Sequence, residues 1–152
     1  MKKSSSIIIL MADDDPEDRM LAADALVEAR LDNELHFVTD GEELIQYLNR
    51  QGQFANLVDT SLPGLILLDL NMPRKDGREA LKELKEDPKL HHIPVVVLTT
   101  SKAETDIVKT YDLGVNSFIT KPVTFDGLVD VMRGLGQYWF SIVSLPPRNQ
   151  DQ

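Results

Sequence analysis

An α/β fold, five parallel strands covered by helices on both faces, is predicted by three features of this sequence. Short, nearly uninterrupted apolar runs recur along it, as strands buried on both faces require. Segments of helical periodicity separate them, so the order reads β-α five times over. The central run, Leu65-Ile66-Leu67-Leu68-Asp69-Leu70-Asn71-Met72-Pro73, ends on a carboxylate, an amide and a proline rather than on a hairpin turn.

Ile7 to Ala12 is too short for an ordinary helix and suits a central strand. Asp15 is an N-cap candidate and Pro16 occupies the preferred first helical position, so a helix is expected from about Pro16 to Ala29, with Leu21, Ala25 and Leu26 inward. Glu34 to Val38 is a weaker strand. Asp40 and Glu43 form a capping pair that opens a helix through Asn49, burying Leu44, Ile45 and Leu48. Arg50 to Pro63 lacks clean periodicity and reads mostly as loop, with an extension of the preceding helix as the alternative. After the central strand, Arg74-Lys75-Asp76-Gly77 is a turn, and a helix from Gly77 or Arg78 to Glu86 buries Ala80, Leu81 and Leu84 before Asp87-Pro88 stops it.

Pro94 to Leu98 is another buried strand. Ser101 and Glu104 have capping-box spacing for a fourth helix reaching Leu113, where Gly114 is the natural stop. Ser117 to Thr120 is the fifth strand. A fifth helix from about Thr124 to Phe140 places Leu128, Val131, Met132, Leu135, Trp139 and Ile142 on one stripe, while Gly134 and Gly136 each weaken it by roughly 1 kcal/mol. Residues 1–6 and 144–152 are expected to be tails around one domain spanning 7–143. Five such units favour the flavodoxin-like order 2-1-3-4-5, which sets the first and third strands side by side with a ligand crevice at their carboxyl ends.

Composition narrows the function. The 152 residues fit a single domain, and 42% hydrophobic with 27% charged residues suggests neither disorder nor a membrane protein. No apolar stretch approaches the roughly 20 residues of a membrane span, and Lys2-Lys3 lacks a following cleavage site, so a cytoplasmic protein is expected. There are no cysteines, which removes disulfides, thiolate metal sites and Cys nucleophiles. A net charge of -9 with acids interleaved among the lysines argues against direct nucleic-acid binding.

The first and third strands end on Asp13-Asp14 and Asp69. Carboxylates converging on one crevice repel one another, so they take up protons or a cation neutralises them. Mg²⁺ is suited to this, because it binds one or two carboxylates and leaves room for a phosphate oxygen. Asp69 is then placed to act as a nucleophile forming an aspartyl phosphate. By itself Asp69 is as easily a turn residue before Pro73. Thr99 and Lys121 follow the fourth and fifth strands on the same rim and supply the donors and positive charge that phosphoryl transfer needs; singly, they read as a capping hydroxyl and a surface amine. His91 and His92 lack a third ligand at metal-site spacing and are taken as solvated.

Asp13-Asp14, Asp69 within Leu-Leu-Asp-Leu-Asn-Met-Pro, Thr99 and Lys121-Pro122 together resemble the CheY-like receiver domains of two-component response regulators, over roughly Ile7 to Phe140. The resemblance implies that Asp69 accepts a phosphoryl group from a sensor histidine kinase with Mg²⁺. Asp14 would bind the ion directly, Asp13 largely through water, and Asn71 through its backbone carbonyl. It further implies that Lys121 pairs with the phosphoryl group across a cis bond to Pro122, that Thr99 moves toward the phosphate, and that Phe118 is the switch aromatic; Phe118 as a plain core residue is the alternative. Asp15 adds a third acid, for which capping is favoured over metal binding.

Pro73 to Glu79, Leu98 to Ser101, and Tyr138-Trp139-Phe140 look similar to single-domain regulators that partner phytochrome-type kinases. Such regulators often form homodimers through the fourth and fifth helices, with Tyr138, Trp139 and Phe140 as anchors; the alternative is a terminal helix covering its own core. A phosphorelay module with no output domain and a downstream protein partner is therefore expected, a phosphoacceptor rather than an enzyme. A haloacid-dehalogenase-like phosphatase is the alternative, weakened by Asn71 where such enzymes usually carry a second Asp. A receiver-like fold that binds partners without phosphorylation is opposed by the complete residue set.

Overall fold

Among the described residues ten elements follow one another: β1 (Ile9–Ala12), α1 (Pro16–Glu28), β2 (Leu35–Val38), α2 (Gly41–Leu48), a 3-10 turn (Gly52–Leu57), β3 (Leu65–Asp69), α3 (Gly77–Glu86), β4 (Val95–Thr99), β5 (Ser117–Thr120) and α4 (Phe125–Leu135). The computed structural model describes residues 7–69, 77–99, 117–120, 122 and 124–136. The helix expected over Ser101 to Leu113, both tails, and Tyr138-Trp139-Phe140 lie outside the described residues. The label α4 therefore denotes the fifth helix of the sequence. The strands form one parallel sheet in the order β2-β1-β3-β4-β5, as the sequence predicts.

Strand alternation divides the core in two. Leu10, Ala12, Ile66, Leu68, Val95 and Val97 pack with Leu44 and Leu48 of α2 and with Ala80, Leu81 and Leu84 of α3. The intervening residues Ile9, Met11, Leu65, Leu67, Val96 and Leu98 pack with Ala22, Ala25 and Leu26 of α1 and with Val129, Met132 and Leu135 of α4. Burial on both faces is why these strands read as continuous apolar runs.

The helix starts form as their side chains dictate. Asp15 accepts from the Glu17 amide at 2.9 Å, and Asp40 from the Glu43 amide at 2.8 Å. Glu43 turns back onto the Thr39 amide and hydroxyl, at 2.8 and 2.9 Å, one residue earlier than an ordinary capping box reaches. Thr124 caps α4 by accepting from the Gly127 amide at 3.0 Å.

Two inward assignments need correction. Leu21 is 36% exposed, and Ala22 takes its place on the stripe shared with Ala25, Leu26 and Ala29. In α2, Tyr47 is buried where Ile45 was expected, and Ile45 is only partly covered. The Tyr47 phenol lies 2.5 Å from His36 Nδ1 on β2, which satisfies the buried hydroxyl, and burial raises its pKa above the ordinary value. Between Arg50 and Pro63 the loop contains the 3-10 turn instead of an extended α2. Arg50 holds it by donating to the carbonyls of Tyr47, Thr60 and Ser61 at 3.0, 2.7 and 3.1 Å.

The two glycines at the end of α4 differ in surroundings. A Cβ added at Gly134 meets nothing within 4 Å, whereas one at Gly136 lies 2.8 Å from Leu31 Cδ2. Gly134→Ala is expected to stabilise the protein by about 1 kcal/mol in urea unfolding. Gly136→Ala should gain less, because Leu31 must shift. An equal gain at both positions would show that Leu31 yields freely.

Candidate functional site

The register that pairs Ala12 with Leu68 brings Asp13 level with Asp69, one residue beyond the last paired positions of β1 and alongside the end of β3. Asp13 keeps the strand parity of Ile9 and Met11, and Asp69 that of Leu65 and Leu67. Both thus stand on the sheet face covered by α1 and α4. Asp13 is fully buried and Asp69 nearly so, while Asp14 is exposed at the rim. One carboxylate oxygen from each of the three lies within 4.8 Å of the others.

The turn from β1 into α1 is tied down from several sides. The Asp13 amide donates to the Val38 carbonyl at 3.0 Å, and Asp13 Oδ1 accepts from the Asp15 amide at 2.9 Å. Arg19 reaches back six residues, past the start of α1, to donate from Nη1 to the Asp13 carbonyl at 2.8 Å. Sequence reasoning missed Arg19. The available signal was that it is the only basic residue in α1, placed among Asp13, Asp14, Asp15, Glu17 and Asp18. Asp15 uses its carboxylate to cap α1, as expected, and is not part of the three-carboxylate group.

The remaining candidates are placed by their strands. Asp69 pairs with Leu98 and Thr99 with Thr120, so Thr99 ends β4 on the same rim and Lys121 follows the end of β5. Phe118 pairs with Val97. The side chains of Thr99 and Phe118, and all of Asn71 and Lys121 with the Lys121–Pro122 bond, lie outside the described residues. His91 and His92 are exposed, ring edge to ring face, and belong to no cluster of metal-ligating side chains among the described residues.

The carboxylate cluster fits a hard divalent cation. Octahedral oxygens about 2.1 Å from Mg²⁺ stand roughly 3 Å apart when adjacent and about 4.2 Å apart when opposite. Oxygens already within 4.8 Å of one another reach that shell by small side-chain rotations. All the donors are oxygens, and carboxylates gathered this closely favour a cation over an additional anion.

Comparison with known proteins agrees with this geometry. The model of the response regulator receiver domain family matches residues 9–133. Response regulator Rcp1 of Synechocystis sp. is 41% identical over 139 residues, covering 91% of this chain and 92% of that protein. The crystal structure of the phosphorylated cyanobacterial phytochrome response regulator RcpA is 44% identical and superposes with a TM-score of 0.79, covering 90% of this chain and 96% of that one. The Mn²⁺-bound form of Rcp1 is 41% identical with a TM-score of 0.78, covering 92% and 99%. The family match does not favour the phosphatase alternative.

Proposed function

Because the chain belongs to the response regulator receiver domain family, we propose that Asp69 is its phosphoacceptor and that Asp13, Asp14, Asp69 and the Asn71 carbonyl hold a Mg²⁺ ion beside it. The observation that carries this is the meeting of three carboxylates at the ends of β1 and β3. When bound, the ion offsets negative charge on the carboxylates and on the incoming phosphoryl oxygens. An Asp69 carboxylate oxygen attacks phosphorus and forms an O–P bond. The P–N bond to a phosphohistidine breaks, and its electron pair returns to the imidazole. Thr99 and Lys121, on the same rim, supply a hydrogen bond and a positive charge to the phosphoryl oxygens.

The donor in this reading is a sensor histidine kinase of the phytochrome type, a source suggested by the phytochrome regulators that the chain resembles. The protein promotes only its own phosphorylation and dephosphorylation. Movement of Thr99 and rotation of Phe118 then alter a surface that binds a downstream partner or a second copy through the fourth and fifth helices of the sequence. Among the described residues no helix is long and apolar enough to cross a membrane.

Acetyl phosphate, or an autophosphorylated phytochrome-type kinase, should label the protein only when Mg²⁺ or Mn²⁺ is present, and the label should have the alkali lability of an acyl phosphate. Labelling that persists in EDTA, or that maps to any residue other than Asp69, overturns the assignment.

A further inference from the structure

Asp13 is held at its amide, its carboxylate and its carbonyl. The amide donates to the Val38 carbonyl at 3.0 Å, and Oδ1 accepts from the Asp15 amide at 2.9 Å. The carbonyl accepts from Arg19 Nη1 at 2.8 Å. The third bond directs a guanidinium to a neutral oxygen, although Asp14, Asp15, Glu17 and Asp18 all lie within five residues of Arg19.

The consequence falls on Asp14. The oxygen that Arg19 holds belongs to the peptide joining Asp13 to Asp14, and that unit is planar, so fixing its oxygen fixes the direction in which Asp14 leaves the strand. Asp14 is exposed, and among the described residues its carboxylate has no hydrogen bond of its own to orient it. Arg19 therefore sets the spacing between two of the three carboxylates whose oxygens lie within 4.8 Å of one another. Such spacing separates small divalent ions from large ones. Mg²⁺ demands a near-ideal octahedron with oxygens about 2.1 Å away, whereas Ca²⁺ accepts about six to eight oxygens at roughly 2.3 to 2.6 Å in a flexible shell. A turn held at three points resists the outward movement that the larger ion needs.

We propose that Arg19 is a positioning residue that makes the carboxylate cluster select Mg²⁺ or Mn²⁺ over Ca²⁺. This selectivity rests on the metal site assigned above. Charge alone would make Arg19 a hindrance, because removing a cation from beside three carboxylates tightens the binding of another cation. Positioning reverses the sign.

The test titrates the full chain with Mg²⁺ and with Ca²⁺ and follows the Ala12 and Asp14 amides by NMR. Arg19→Ala is expected to bind Mg²⁺ about tenfold more weakly than wild type, the usual cost of removing a residue that orients a metal ligand, and Ca²⁺ less than about threefold more weakly. In the metal-free protein the Asp15 amide, whose acceptor is Asp13 Oδ1, should exchange with solvent faster in the variant. Arg19→Lys keeps the charge and a donor and should recover most of the Mg²⁺ affinity. Arg19→Gln, two bonds shorter and uncharged, serves in place of alanine if that variant does not fold, with the same loss expected. Unchanged or tighter Mg²⁺ binding in the folded alanine or glutamine variant, or equal losses for Mg²⁺ and Ca²⁺, overturns the role of Arg19 and leaves the metal site standing. Wild type that binds neither ion removes the metal site itself, and the selectivity with it.

Discussion

Replacing Asp69 with asparagine is expected to abolish phosphoryl incorporation and, in the absence of divalent cations, to make the protein more stable. An amide oxygen cannot form the acyl phosphate, so the first effect should be complete. The second follows from the crowding of Asp13, Asp14 and Asp69, whose oxygens lie within 4.8 Å of one another. Two unit charges about 4 Å apart repel by about 4 kcal/mol at an effective dielectric constant of about 20. Relaxation and the exposure of Asp14 reduce what appears as stability, leaving a gain of about 1 kcal/mol. Urea unfolding in EDTA should therefore show Asp69→Asn with the higher midpoint. Added Mg²⁺ should then raise the wild type more than the variant, because binding to the folded form alone stabilises it. A variant that accepts label, or that is less stable than wild type in EDTA, contradicts the assignment.

Leu68→Ala is expected to have the largest effect on stability, about 3 to 5 kcal/mol. Leu68 is fully buried in the central strand, paired with Ala12 on one side and Val97 on the other. It lies among the side chains that meet α2 and α3, where no neighbour can collapse into the space without moving a strand. Against a typical domain stability of roughly 5 to 15 kcal/mol the loss is severe. The urea midpoint should fall by about 1.5 M or more. Because Leu68 points away from the carboxylates, the fraction that remains folded should bind divalent ions as wild type does. A cost under about 1 kcal/mol would mean that the surrounding core closes over the vacancy.

Much of the fold was legible because local and long-range signals coincide. The strand runs, the capping residues Asp15 and Asp40, and the stop at Asp87-Pro88 all act where the sequence places them. Helix α1 was less legible. Met20, Leu21, Ala22, Ala23, Ala25, Leu26 and Val27 give it apolar residues all round, so hydrophobicity alone could not distinguish Ala22 from Leu21 as the inward residue. Tyr47 displaced Ile45 for a reason no window of α2 contains, a buried hydroxyl meeting His36 on a neighbouring strand. The 3-10 turn depends on Arg50 finding two carbonyls ten and eleven residues away.

The site followed the same division. The meeting of Asp13, Asp14 and Asp69 could be deduced once strand order was known, because residues at neighbouring strand ends are neighbours in space. The bond from Arg19 to the Asp13 carbonyl could not, since it depends on where a main-chain oxygen points after the strand turns into the helix.

The parity of Asp13 and Asp69 also makes the sheet a partition. Both belong to the side facing α1 and α4, and four strands' worth of close-packed Leu, Ile and Val separates them from α2 and α3. Substitutions in the α2–α3 layer therefore change how much folded protein there is, whereas those in the α1–α4 layer can change what each folded molecule does. The chain has one half that answers to packing alone, and another whose packing also frames the carboxylate cluster at the strand ends.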